Sequence, residues 1–144
     1  MSAITADAIV RSARGMVGTP FHHLGRTPGP SGAIDCVGLL ACVGKEIGGS
    51  VVDEPIYPKE TDGSVLMRCL SSCCEMLETK RPMRGDIVVF KRGRATWHAC
   101  IVSKLAPLTM IHAWGRYTRG AVREEPLSPR WSRSIHSVWR YKEA

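Results

Sequence analysis

The chain has 144 residues, of which 44% are hydrophobic and 23% charged, and it carries a formal net charge of +7. That length suits one domain with a real core and is short for two, and the composition is ordinary for a globular protein rather than a disordered or fibrous one. No apolar run approaches the ~20 residues of a membrane-spanning helix, so membrane insertion is not expected.

In chain order, the first element expected is an amphipathic helix over residues 5–17, with Ile9, Ala13, Met16 and Val17 on one side and a stop at "GTP". Asp7, Arg11 and Arg14 interrupt its apolar positions, which leaves it without the block of a signal peptide. Synthesis in the cytoplasm is therefore expected, with any route out through an assembly or a lysis event. Residues 21–34, "FHHLGRTPGPSGAI", read as a loop. A second helix runs from about 36 to 47 and stops at Gly48–Gly49, residues 50–63 wander, and "SVLMRCLSSCCEMLETK" predicts a third helix with a stripe of Leu66, Cys69/Leu70, Cys73 and Met76/Leu77. Beyond it the period changes to two. Strands are expected at 87–90, 96–103 and 108–114, with weaker ones around Val122 and at 134–141. Helices first and an antiparallel sheet afterwards make an α+β fold with the helices on one face.

Six cysteines are spread over positions 36, 42, 69, 73, 74 and 100. Cys42, Cys69, Cys73 and Cys100 fall at apolar-periodic positions, where cysteine serves as a small buried hydrophobe, and without a secretion signal reduced thiols are expected. Cys69 and Cys73 lie one helical turn apart and could be read as zinc ligands, but no CxxC pair and no neighbouring His accompanies them. Basic residues concentrate in 80–94 and in the C-terminal third. Such a surface favours a polyanion: nucleic acid, anionic lipid or an acidic cell-wall polymer. No nucleic-acid motif supports the first, and aromatic residues are only 6% of the chain.

The second helix holds the chemistry. It is apolar nearly all round, as a central helix is, yet it opens with Asp35 and Cys36. Asp35 suits the N-cap. Cys36 then falls in the first turn, where free N–H groups and the helix dipole are expected to lower its pKa below the ~8.5 of a free thiol and to face an oxyanion. The plainer reading is a core cysteine that happens to start a helix. The strands weigh against it. A hairpin through "SKLAP" with Val102 opposite Leu108 sets Cys100 against Met110 and His98 against His112, on the face a core helix would cover. A thiol and two histidines describe a nucleophile, a base and an orienting group.

"GTPFHHLG", "DCVGL", "RPMRGDIVVF", "WHACIVS" and "IHAW" follow in the order and spacing of the NlpC family of papain-like cell-wall cysteine peptidases, and "VREEPLSPRWSRSIHSVWRY" resembles the C-terminal signature of its phage and gene-transfer-agent branch. The resemblance covers nearly the whole chain. It implies one papain-like domain over 1–144 that cleaves a γ-D-glutamyl–diamino-acid amide in peptidoglycan stem peptides, needs no metal or organic cofactor, and works from a phage-like tail or after delivery to the periplasm. Carried over by motif, Cys36 is the nucleophile, His98 the base, His112 the residue orienting His98, and Asp35 an acid that helps to bind a substrate amine. Phe21 stands where the family has a tyrosine, so its ring can wall the cleft while the hydrogen bond is lost unless His22 or His23 supplies it. Val37 stands where many members have serine, which favours stems still attached to glycan over free N-terminal amines. The rival readings are an idle tail-assembly or plug module on the same fold, and a secreted antibacterial amidase effector or other thiol acyltransferase.

Overall fold

The structure, a computed structural model, describes residues 4–50, 53, 57–58, 63–115 and 120–143. Most of the wandering stretch expected at 50–63 lies outside the described residues. The elements are α1 (Ala6–Arg14), a small hairpin of β1 (Arg26–Thr27) and β2 (Ala33–Ile34), α2 (Cys36–Glu46), α3 (Ser64–Cys73), β3 (Cys74–Met76), β4 (Ile87–Arg92), β5 (Ala95–Leu105), β6 (Leu108–Trp114), β7 (Ala121–Pro126), α4 (Pro129–Ser132) and β8 (Ile135–Tyr141). The main sheet has the order β3-β8-β4-β5-β6-β7, antiparallel throughout. No helix among the described residues is long and apolar enough to cross a membrane.

Side-chain alternation gives this sheet two apolar faces. Val89, Ala99, Ile101, Ile111 and Ala113 pack with Leu39, Leu40 and Val43 of α2 and Leu66 and Leu70 of α3. Val88, Phe90, Cys100, Val102, Met110 and Val138 form the other cluster, closed by Leu77, Leu127, Trp131 and Ile135. The α2 helix is central because it is apolar on nearly every side, with all of Val37 to Ala41 buried. Gly38 is needed there: a Cβ on it would stand 2.3 Å from the carbonyl oxygen of Gly25.

Three expectations are corrected. The first helix ends at Arg14, capped by Gly15, and Val17 is 44% exposed rather than part of the apolar side. The third helix ends at Cys73, because Cys74–Met76 pair with Tyr141–Trp139 of β8. Those backbone groups gain ladder partners on a sheet edge that a helix could not offer, and tertiary pairing overrides the local period. Met76 is consequently 60% exposed. The "FHHLGRTPGPSGAI" loop also folds its middle into the β1–β2 hairpin.

The β5–β6 register differs too. β5 continues to Leu105 and turns through Ala106 and Pro107 alone, with Leu105 opposite Leu108, Val102 opposite Met110, and an irregularity between Val102 and Lys104. One further step along Ile101↔Ile111 sets Cys100, not His98, opposite His112. The two histidines are diagonal neighbours on one face, a spacing that long side chains still bridge. That face is not the one α2 covers. His98 shares it with Phe90, at 6.1 Å between ring centroids, and with Trp131 at 5.3 Å.

Burial decides the outcome of truncation. Leu70→Ala empties a site with no solvent exposure and is expected to cost about 2–5 kcal/mol, whereas Met76→Ala should stay within about 0.5 kcal/mol. Urea unfolding of both variants measures this, and a large loss for Met76→Ala would restore the longer helix.

Candidate active site

Asp35 caps α2 and is only 4% exposed. Its Oδ1 accepts from the Gly38 N–H at 2.8 Å and from Arg26 Nη1 at 2.9 Å. Its Oδ2 accepts from the Leu24 N–H at 2.9 Å and from the Tyr57 hydroxyl. Two carboxylate oxygens offer about four lone-pair sites, so the chain's own donors fill them. Within the protein, the partners of Asp35 are thus the helix end, the Leu24 amide, Arg26 and Tyr57. Arg26 in turn holds Asp53 at 2.9 Å and Tyr57 Oη at 3.0 Å.

Cys36 follows as the first residue of α2 and opens on a cleft of about 290 Å³. Phe21, His23, Asp35, Val37, Tyr57, Thr96, His98 and Trp114 line the same cleft. Cys36 and His98 thus arrive from different elements at one cavity, and His112 stands behind His98. His98 Nε2 and His112 Nδ1 are 2.8 Å apart, and His112 Nε2 lies 2.8 Å from Glu125 Oε1. His98 is 3% exposed and His112 fully buried. Their rings are wedged by Trp114, 5.1 Å from His98, and by Trp131, 5.7 Å from His112. Aromatic edges and faces at that spacing restrict ring rotation as well as excluding water.

Phe21 walls the cleft, its ring against the backbone of Gly115, where a Cβ would come within 2.1 Å. His23 also lines the cleft, and its Nε2 bonds the Tyr57 carbonyl at 2.8 Å. His22 Nδ1 is likewise bonded to the His23 carbonyl oxygen, at 2.8 Å. The phenol at the cleft belongs to Tyr57, which carried no sequence signal because it sits in a stretch without periodicity. Arg26 lay in a glycine- and proline-rich loop and was equally silent. Glu125 had a weak signal: Arg123 and Glu125 alternate along β7, but only the β6–β7 pairing puts His112 opposite Arg123 and Met110 opposite Glu125.

Protonation differs from expectation. Packing around Cys36, with the charge of Asp35 next, pushes the thiol up to about 12, although the residue keeps part of its surface open to the cleft. The amides of Ala99 and Val37 and the charge of Arg26 pull the other way and lose. Burial, then His112, holds His98 well below the 6.5 of an ordinary imidazole. Burial also lowers His112, although Glu125 opposes the shift. Both shifts favour the neutral form, of the thiol and of the imidazole alike. The remaining cysteines are free thiols; neighbouring thiols together with burial raise Cys69 and Cys73, and burial alone raises Cys100. No cluster of three or more His, Cys, Asp or Glu among the described residues is arranged to hold a metal ion.

Neither a protein-family model nor a curated protein matches the chain. Solved structures do. An NLP/P60-family protein described as similar to a lipoprotein, from Staphylococcus aureus subsp. aureus Mu50, superposes with a TM-score of 0.66 at 17% identity, over 100% of this chain and 43% of that one. NlpC1 from Trichomonas vaginalis gives 0.66 at 15% identity, over 98% and 45%. The NlpC/p60 domain of the peptidoglycan hydrolase SagA gives 0.60 at 21% identity, over 94% and 97%. The chain spans less than half the length of the first two. The fold is the papain-like α+β arrangement of NlpC/P60 structures, with N-terminal helices packed on an antiparallel sheet.

The depressed histidines and raised cysteines make stability depend on pH with a definite sign. Between each histidine's folded value and 6.5 the unfolded chain binds more protons, so stability falls as pH drops below 6.5. Above the ordinary thiol value of 9.0 the unfolded chain releases protons that the folded cysteines keep, so stability falls there too. The urea midpoint should peak between 6.5 and 9.0, and the ultraviolet absorbance of a Cys36 thiolate should be missing near neutral pH. A thiolate signal at neutral pH that disappears in Cys36→Ala would overturn the neutral pair.

Proposed function

We propose that the protein is a cysteine peptidase or amidase that hydrolyses an amide in peptidoglycan stem peptides, most specifically the γ-D-glutamyl–diamino-acid bond. The observation that carries the reading is the meeting of Cys36, at the head of a buried helix, and the hydrogen-bonded His98–His112 pair at one cleft. The fold shared with NlpC/P60 peptidoglycan hydrolases supports the substrate class.

Because the resting thiol is neutral, attack and deprotonation are coupled. His98 uses Nε2 toward His112, so Nδ1 takes the Cys36 proton as sulfur bonds to the substrate carbonyl carbon. The carbonyl oxygen becomes an oxyanion at the amide end of α2, where the Cys36 N–H donates to it. Collapse breaks the carbon–nitrogen bond, and the His98 imidazolium returns the proton to the leaving amine. Water, deprotonated by His98, then releases the acid from the thioester and the proton goes back to sulfur.

The walls of the cleft bear on substrate choice. Asp35 is saturated by its own chain and Val37 is apolar, so an unsubstituted ammonium would be desolvated without compensation. Stems still joined to glycan carry no such charge. Lys91, Arg94, Arg130 and Arg133 are exposed near the Thr96 edge of the cleft, since Lys91 pairs with Thr96 and bonds Ser134, and they suit an acidic wall polymer. A phage-like tail as the carrier rests on the sequence resemblance alone.

Mass spectrometry of peptidoglycan digests tests the reading. The wild type should release glycan-linked products ending in the γ-D-glutamyl carboxylate, Cys36→Ala none, and His98→Ala should lose about 10²–10⁴-fold in turnover. His112→Asn should retain more activity than His112→Ala, because an amide still accepts from His98. Substrates with an acylated N-terminal amine should show a higher kcat/KM than matched free amines, and the reverse preference would remove the argument from Asp35 and Val37. No products at all, with Cys36 inert to iodoacetamide, would point to the idle module instead.

A further inference from the structure

The hydrogen bonds behind His98 continue past His112 to the sheet edge, and each link constrains the next. Glu125 lies on β7, with its side chain 40% exposed, while the His112 side chain that it meets at 2.8 Å is wholly buried. A carboxylate only accepts, so the bond to Glu125 requires a hydrogen on His112 Nε2. A neutral imidazole then has its lone pair on Nδ1, and His112 Nδ1 accepts across the 2.8 Å from His98 Nε2. That link places the hydrogen of His98 on Nε2 and leaves the Nδ1 lone pair as the basic site.

We propose that Glu125 is a positioning residue that selects, through His112, the tautomer of the His98 base. The inference rests on the reading of His98 as the base for Cys36. Without an acceptor at position 125, His112 can present either nitrogen, and one of the two arrangements puts a hydrogen on His98 Nδ1, where the thiol proton must go. The other groups facing His112 do not compete for this role. Arg123 of β7 lies opposite it and disfavours a positive charge on the ring, β5 contributes His98, and α4 contributes the uncharged ring of Trp131. Burial keeps His112 neutral as well. A neutral ring with a fixed tautomer passes on orientation, not a stored proton.

Three substitutions at this partly exposed position separate tautomer control from a structural role. In Glu125→Gln the amide oxygen can still accept from His112, so the tautomer and most of the activity should survive. Glu125→Ala removes the acceptor. Glu125→Lys supplies a donor, which requires the lone pair on His112 Nε2 and drives the hydrogen of His98 onto Nδ1. The ¹⁵N resonances of the His98 ring report the tautomer directly, and the alkylation rate of Cys36 by iodoacetamide across pH reports base assistance without any substrate. We expect the wild type and Glu125→Gln to hold the Nε2–H form, and Glu125→Lys to switch to Nδ1–H with alkylation near neutral pH slowed about 10²-fold, the low end of what a positioned base supplies. If all three folded variants keep the Nε2–H form and the wild-type alkylation profile, Glu125 has no part in setting the base. Both readouts decide this even if peptidoglycan proves not to be the substrate, so the two proposals fail separately.

Discussion

The buried carboxylate of Asp35 is the constraint on which the site depends. Withdrawing a carboxylate from water costs several kcal/mol, and the cost is recovered only with a well-placed counter-charge and filled lone pairs. Arg26 supplies the charge, and Gly38, Leu24 and Tyr57 supply the remaining donors. Each donor comes from a different part of the chain: the β1 hairpin, the first turn of α2, the loop before the hairpin, and the segment leading to α3. One side chain therefore ties together the four pieces that surround Cys36. The 2.3 Å approach that a Cβ on Gly38 would make to Gly25 shows how tightly the same pieces are pressed.

That arrangement sets the electrostatics of Cys36 against the simplest reading of a helix head. A helix N-terminus favours negative charge by only ~0.3–1 kcal/mol. Burial of the sulfur and the adjacent Asp35 charge act against it and favour the protonated thiol. His98 is held neutral by the same exclusion of water. A pair of neutral partners needs less solvation at rest than a buried ion pair, and in the proposed reaction it would shift the demand for charge stabilisation to the moment of attack. Under that proposal the hydrogen-bonded His112 and Glu125 behind His98, and the amides ahead of the thiol, are the groups that would meet the charge.

The geometry also depends on a sheet that brings its two faces together at one end. Cys36 belongs to the helix side, packed with Ala99, Ile101 and Ile111, whereas His98 alternates with Cys100 and Val102 onto the opposite cluster. They share a cleft because pairing slips between Phe90 and Lys91: Phe90 faces His98 but Lys91 faces Thr96, which leaves residue 97 as the extra one. A bulge of this kind bends the strand and re-aims its side chains. The bulge flanks His98. Trp131 and Trp114 pack against the His98 ring, which is held by these contacts and by its bond to His112.

Much of this was determined by the sequence alone. The apolar circumference of 36–47, with an N-capping acid before it, defined a central helix and the place of Cys36, because helix periodicity and capping are local properties. Alternation along 96–103 and 108–114 defined two strands that each carry a histidine on one face. Register, protonation and partners were decided only by the tertiary structure. The two-residue turn at Ala106 and Pro107 moved the pairing and made the histidines diagonal neighbours. Cys74–Met76 left a helical period for the edge of β8. Asp35 went to Arg26 and Tyr57, and His112 to Glu125, across separations of 9, 22 and 13 residues. Hydrogen-bond partners and desolvation depend on which surfaces come together in space, and no local pattern of apolar and polar residues encodes that.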